Sequence, residues 1–163
     1  MWSTVSTKKL ILPEKLELWA QKIKDQGLTI ATINGSFDLM HAGHLHILYE
    51  ASKQADVLLV ALNSDASIQG YKSISRPIIP LKYRLQMMAA IEFVDFITYF
   101  DELTPCNLLQ KVRPFVHCNG AEYGADCIEK NVVEENGGRV HIINLVEGLS
   151  TSKIIEKVKL CDK

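Results

Sequence analysis

The stretch TINGSFDLMHAGHLHIL, residues 32–48, decides how this chain is read. An apolar run over residues 28–33 leads into it, with Gly27 before and Asn34-Gly35 after, the pattern of a buried strand closed by a turn. The turn feeds a helix that carries Leu45, Leu48, Ala51 and Ala55 on one face. A strand, a glycine turn and a helix N-terminus together favour an anion, because the first N–H groups of a helix lack internal partners and the helix dipole is positive there. His41 and His44 stand three residues apart on the first turn, hence on one side, facing the place an anion would take. Three histidines in six positions, His41, His44 and His46, could also suggest a metal site. At about 100° per residue, as 3.6 residues per turn requires, His46 points roughly opposite His44, so no three-histidine tripod is expected from this segment.

Outward from this stretch, further apolar runs of strand length fall at residues 56–63, 96–100, 115–118 and 140–145. The run at 56–63 is continuous, which implies cover on both faces. Helical patterns lie between the runs, at 81–92, 105–112, 126–136 and 152–159. Strands alternating with helices predict an α/β fold, a doubly wound sheet of five parallel strands of Rossmann-like type. Ligands of such sheets bind beyond the carboxyl ends of the strands, where the strand order reverses. The histidine turn sits at the carboxyl end of the first strand, so fold and motif indicate the same place. Residues 13–26 form an amphipathic segment with Leu16, Trp19, Ala20 and Ile23 on one face, a cover helix for which Gly27 is the stop and which could also join a dimer interface.

Composition narrows the function classes. At 163 residues, 47% hydrophobic and with a net charge of −1, residues 1–163 read as one globular domain, residues 1–27 supplying its N-terminal cover helix. The charge balance offers no footprint for nucleic acid or an anionic membrane, and no apolar run approaches the ~20 residues of a membrane span. Pro13, Glu14 and Lys15 interrupt the apolar core that a signal peptide needs, so a cytoplasmic location is expected. Cys106, Cys118, Cys127 and Cys161 form no CxxC pair and read as free bystander thiols.

Residues 63–80 read as a long loop rich in Ser, Gly and Pro that carries Lys72 and Arg76, and Arg84 follows about one turn into the next helix. From the charge pattern alone a solvated loop is the simpler reading; a cationic loop at the carboxyl end of a sheet can also fold over phosphates, Lys72 as a point charge and Arg76 as a two-pronged grip. Residues 119–124, NGAEYG, leave the fourth strand with two glycines that let backbone approach a ligand closely. Near the end, Ser150 or Thr151 is placed to cap the last helix, whose N-terminus would make a second anion site facing the first.

The segment NGSFDLMHAGH resembles the first signature of the cytidylyltransferase-like nucleotidyltransferases, with His41-Ala42-Gly43-His44 as their HxGH motif. Within that superfamily the chain most resembles the D-glycero-D-manno-heptose 1-phosphate adenylyltransferases, free-standing or as the second domain of a bifunctional heptose kinase/adenylyltransferase. The resemblance runs over about residues 10–158 and includes VALNSDASIQGYKSISRPIIPLKYR and EGLSTSKII. It implies transfer of AMP from ATP to a sugar 1-phosphate for lipopolysaccharide core synthesis. His41 and His44 would then serve the triphosphate and its transition state, Lys72 and Arg84 the phosphates of substrate and nucleotide. Asn34, Gly35, Ser36, Phe37, Gly43, Gly120, Glu122, Glu147, Ser150, Thr151 and Ser152 would surround the nucleotide. Mg²⁺ would arrive with ATP, with no metal site of the protein's own; the implied partners are ATP and a sugar 1-phosphate, and a homodimer is common in the family. Asp38 reads as a structural turn residue.

The chain departs from the family pattern in one loop, where the usual K-G-G-D-Y is replaced by Asn119-Gly120-Ala121-Glu122-Tyr123. Leu145 stands where related glycerol-phosphate cytidylyltransferases carry an arginine, which favours the heptose branch. A CTP-dependent enzyme acting on glycerol 3-phosphate or another small alcohol phosphate is the nearest rival. A nucleotide-binding module without turnover is the rival from another class.

Overall fold

The seven residues of β2 (Val57–Asn63) are all buried, as a strand covered on both faces must be. The structure is a computed structural model that describes residues 8–124, 126–146 and 148–161. β1 (Ile30–Gly35), β2, β3 (Phe96–Phe100), β4 (Val116–Gly120) and β5 (Arg139–Ile143) form one sheet in the order β3-β2-β1-β4-β5, every pairing parallel. The order reverses at β1, which pairs with β2 on one side and β4 on the other. The doubly wound expectation therefore holds, and the switch point lies at the strand that precedes the histidines.

Helices cover the sheet on two sides. α2 (Ala42–Ser52) and α4 (Leu81–Ala89) bury Leu48, Ala51, Met88 and Ala89 against Ala31, Ile33, Leu58, Val60 and Cys118. On the opposite side α1 (Leu16–Asp25), α5 (Cys106–Val112) and α6 (Lys130–Glu135) bury Trp19, Leu109 and Val133 against Ile30, Val57, Leu59 and Ala61. At ~25 cal/mol per Å² of apolar surface removed from water, these two layers supply the main drive to fold. α1 follows a short 3₁₀ turn, Pro13–Lys15, and ends where Gly27 at φ 77° takes the left-handed position that favours glycine. α7 (Thr151–Cys161) closes the chain beside the histidine turn. Among the described residues no helix is long and apolar enough to cross a membrane.

One sequence expectation is corrected here. Residues 63–80 are not an open loop: Ser64 caps α3 (Asp65–Tyr71), its Oγ accepting the Ser67 N–H at 3.2 Å. The helix sets Lys72 at its C-terminal end. Beyond it, the Asp38 carboxylate accepts the N–H groups of Ile78 and Ile79 at 2.9 Å each and pairs with Arg76 at 2.7 Å. Asp38 is thus structural, as expected, but it ties a distant segment rather than its own turn.

Arg84 makes the strongest tie. It is 1% exposed, and its guanidinium donates to the carbonyls of Ser36 (2.7 Å), Asn63 (2.8 Å) and Ile79 (2.9 Å) and to the Asp65 carboxylate (2.7 Å). The carboxyl ends of β1 and β2 are joined through one buried cation. Removing it takes a donor from three carbonyls and from Asp65, whose 41% exposed carboxylate keeps the Leu81 N–H, and a hydrogen bond to a charged group is worth ~1.5–3 kcal/mol. Arg84→Ala is therefore expected to lose stability of that order, and Arg84→Lys, which cannot reach four acceptors at once, a substantial part of it; urea denaturation followed by circular dichroism reads both.

Candidate active site

The turn after β1 is held by strain and by packing. Phe37 and Leu39 adopt φ values of 45° and 48°, conformations that cost a non-glycine residue ~1–3 kcal/mol and concentrate at functional sites. Phe37 is anchored by burial, and its ring meets the His44 ring edge-on at 5.5 Å between centroids. This places His44 on the floor of the turn.

His41 is the N-cap of α2. Its Nδ1 accepts the Gly43 N–H at 3.1 Å, while the Nδ1 of His44 accepts the His41 N–H at 3.4 Å, a reciprocal cap built from two imidazoles. The rings stack with centroids 4.0 Å apart. An Nδ1 that accepts a backbone N–H carries no proton, so the proton of each neutral ring lies on Nε2. Both rings thereby present an N–H to the cleft.

Burial, reinforced by His41 and Lys72 and opposed by Asp38, holds the His44 pKa down at about 4. Burial lowers that of His41 as well. Near neutral pH the pair is uncharged and acts as hydrogen-bond donors.

Gly43 owes its identity to this cap. A Cβ there would stand 2.9 Å from Cε1 of the His41 ring, closer than packed atoms tolerate. Its N–H is committed to His41, so Gly43 shapes the site without offering a donor to a nucleotide, a correction to the expected role. His46 points away, its Nε2 lying 3.2 Å from the Asn144 carbonyl, as the helical geometry predicts.

A cleft of about 230 Å³ opens over the histidines. Its walls include Asn34, Gly35, Ser36 and Phe37 from the β1 turn, Lys72 from the end of α3, Gly120 and Glu122 from the end of β4, and Ser150 and Thr151 from α7. Ser150 Oγ accepts the Lys153 N–H at 3.2 Å and Thr151 Oγ1 donates to the Asp38 carbonyl at 3.0 Å. These two bonds aim the N-terminus of an 11-residue helix at the cleft. Lys72 Nζ donates to Ser36 Oγ at 3.2 Å; desolvation and Arg76 keep its pKa below the usual lysine value.

Two expected residues stand elsewhere, and a third is not among the described residues. Arg84 is enclosed by protein acceptors instead of reaching a phosphate, because the turn it supports needs its donors. Ser152 is exposed and does not line the cleft. Glu147 lies outside the described residues.

A second cleft, of about 500 Å³, lies beside the first. The two share Asn34, Gly35, Ser36 and Lys72. The second continues over Asn63, Tyr71, Thr104, Pro105 and the segment 126–129, none of which the sequence had marked. Asn34 Oδ1, buried at the shared wall, has no hydrogen-bond partner among the described residues. The missed signal was the polar Asn at the end of both β1 and β2, where an apolar strand ends in an amide at the sheet's carboxyl edge.

A doubly wound parallel sheet with a histidine cap at its switch point defines a nucleotidyltransferase-type α/β fold. The cytidylyltransferase-like family model matches residues 32–157, and the chain belongs to that family. Two relatives, each a bifunctional protein HldE, are 40% identical over 151 residues (Syntrophotalea carbinolica) and 43% identical over 136 residues (Geobacter sulfurreducens). The matches cover 92% and 83% of this chain but only 31% and 28% of the relatives, so the chain spans about a third or less of their length. Among solved structures, a lipopolysaccharide core biosynthesis protein from Thermoplasma volcanium superposes with a TM-score of 0.61 at 25% identity, covering 74% of this chain and 98% of that one. A pantoate-beta-alanine ligase from Francisella tularensis, at 13% identity and a TM-score of 0.59, covers 94% and 78% and shows the fold alone.

The imidazole geometry has a direct spectroscopic consequence. His44 should titrate near pH 4, whereas the unfolded chain takes up that proton near the free value of 6.5. Between these two values the unfolded state binds more protons, so stability should fall as pH drops from 6.5 towards 4 and be flat with respect to this group above 6.5. Histidine Hε1 resonances followed by NMR from pH 8 to pH 4 check it; a midpoint near 6.5 for His44 would contradict the capped, buried ring.

Proposed function

We propose that this chain transfers AMP from ATP to a sugar 1-phosphate, D-glycero-β-D-manno-heptose 1-phosphate being the acceptor, giving ADP-heptose and pyrophosphate. The observation that carries the reading is the pair of clefts with a common wall. Two substrates can be held on either side of Asn34-Gly35-Ser36, with Lys72 within reach of both. Identity of about 40% to the HldE proteins across most of the chain supports the heptose acceptor. Leu145, lining the first cleft, agrees with that branch.

On this reading ATP lies in the first cleft, with its phosphates over the Nε2–H groups of His41 and His44 and the N-terminus of α7. The acceptor's phosphate oxygen attacks the α-phosphorus from the second cleft. The bond from the α-phosphorus to the bridging oxygen breaks, and its electron pair leaves with pyrophosphate. No side chain forms a covalent bond, so positioning and stabilisation of phosphate charge carry the rate. Donor groups already fixed by a backbone cap need little reorganisation as charge develops.

Among the described residues no three His, Cys, Asp or Glu side chains gather to hold a metal. On this reading Mg²⁺ would arrive with ATP and would screen its phosphate charge. A cytoplasmic location and a homodimer, the latter read by analytical ultracentrifugation, belong to the same proposal.

Pyrophosphate release with ATP or CTP, each paired with the heptose 1-phosphate or with glycerol 3-phosphate, tests the reading. Turnover is expected only with ATP and the heptose. Turnover with CTP and glycerol phosphate would transfer the chain to the cytidylyltransferase branch. With the active pair, His44→Ala should lower kcat by ~10²–10³-fold, the scale for losing a preorganised donor to transition-state charge, while the fold persists; an unchanged kcat would remove His44 from the site.

A further inference from the structure

Glu129 is a buried carboxylate that the reaction outlined above leaves unused. It is 5% exposed, and it lines the second cleft together with Lys72. Its backbone is fixed, since its carbonyl accepts the Val133 N–H at 3.1 Å at the start of α6. Among the described residues its side chain has modest partners: the Asn119 amide donates to Oε2 at a long 3.4 Å, and the Cys127 thiol is a further polar neighbour. A carboxylate has about four acceptor positions, and leaving them empty in a buried place is costly. No Lys or Arg is paired with it among the described residues. Asn34 Oδ1, without a hydrogen-bond partner among the described residues, lies on the wall the two clefts share.

The cleft is thus lined by charges of opposite sign, Lys72 beside Ser36 and the buried Glu129. An anionic group would be repelled by Glu129 and drawn to Lys72, while neutral hydroxyls satisfy the carboxylate. We propose that Glu129 is a specificity-determining residue for the acceptor, its carboxylate accepting hydrogen bonds from a pair of hydroxyls on the polyol part of a sugar phosphate whose phosphate lies towards Lys72. This rests on reading the second cleft as the acceptor's. The orientation follows from charge alone, and it directs the phosphate to the wall shared with the nucleotide cleft. At about 500 Å³ the cleft is within the usual range for a small-molecule site. A site built to hydrogen-bond hydroxyls also rejects analogues that lack them, because the carboxylate would be left buried and unpaired.

Two measurements test this. In steady-state kinetics with ATP and the heptose 1-phosphate, Glu129→Gln should raise the acceptor KM by ~10–100-fold, the range for losing hydrogen bonds to a charged group, with the ATP KM and kcat within about threefold. Glu129→Asp, which keeps the charge but shortens the reach, should fall between, and serves if the glutamine variant does not fold. A KM within twofold of the parent's in the folded variants overturns the proposal.

The second measurement needs no turnover. Cys127 lies in the same cleft; because burial keeps its thiol largely protonated, alkylation by N-ethylmaleimide is followed at pH 8.5 by peptide mass spectrometry. Heptose 1-phosphate, mannose 1-phosphate, glycerol 3-phosphate and inorganic phosphate are compared as protectants. A polyol phosphate should slow labelling at least fivefold in the parent and fail to do so at equal concentration in Glu129→Gln, while inorganic phosphate should not distinguish the two proteins. If the parent shows no turnover with any pair yet this protection pattern holds, the adenylyltransferase reading fails and the role of Glu129 stands. Protection that is equal in both proteins, or absent with every polyol phosphate, overturns it.

Discussion

The arrangement of the whole carboxyl edge depends on a guanidinium that never meets solvent. Burying a cation is expensive unless every donor has a partner, and Arg84 escapes that cost by drawing in Ser36, Asn63, Ile79 and Asp65 together. The consequence is geometric: the lip of β1 and the lip of β2 cannot move independently. A second pair, Arg76 with Asp38, repeats the device between the histidine turn and the segment entering α4. Two arginines that a charge count would assign to phosphate binding are thereby structural. Lys72, an exposed ammonium on a flexible stem, is left as the cation at the shared wall.

That rigidity makes the reciprocal imidazole cap meaningful. A helix N-terminus ordinarily has its first N–H groups satisfied by Ser, Thr, Asp or Asn. Here two ring nitrogens take that role, and the choice fixes the tautomers as a by-product. Gly43 is required because the His41 ring occupies the space a Cβ would fill. Motif spacing, tautomer and the missing side chain are three consequences of one local packing problem. The depressed pKa of His44 follows from the same enclosure, and it keeps the rings neutral where an imidazolium would bind a triphosphate tightly in the ground state as well.

Much of this was legible in the chain. Apolar runs gave all five strands within about two residues at either end, most plainly β2, whose burial on both faces leaves no exposed position to break the pattern. The histidine turn was legible because spacing on a first helical turn has one geometric meaning. Helix α3 was missed since its cap, Ser64, sits among residues that equally suit a loop and its seven residues are too few for a periodic signal. The surroundings of Arg84 were not legible for a deeper reason: sequence declares a residue's charge but not which way its side chain turns, and three of the four acceptors it meets are carbonyls, which every residue carries. Glu129 was invisible for the same cause, since only the fold brings residues 119 and 129 to one floor.

The division of the edge into two clefts follows from the strand order. β1 is central, so ligands can approach its carboxyl end from either face of the sheet. The histidines of α2 and the end of β4 border the first cleft, while Asn63 of β2 and Glu129 at the start of α6 border the second. In-line displacement needs the attacking and leaving oxygens on opposite sides of phosphorus. Asn34, Gly35 and Ser36, braced by Arg84 through the Ser36 carbonyl, border both clefts, so that ligands in the two would meet across this wall. Gly35 keeps that wall thin: a side chain there would press on the Phe37 ring, which supports His44. The direction of approach would thus be set by the topology of the sheet, with the catalytic side chains left to manage charge alone.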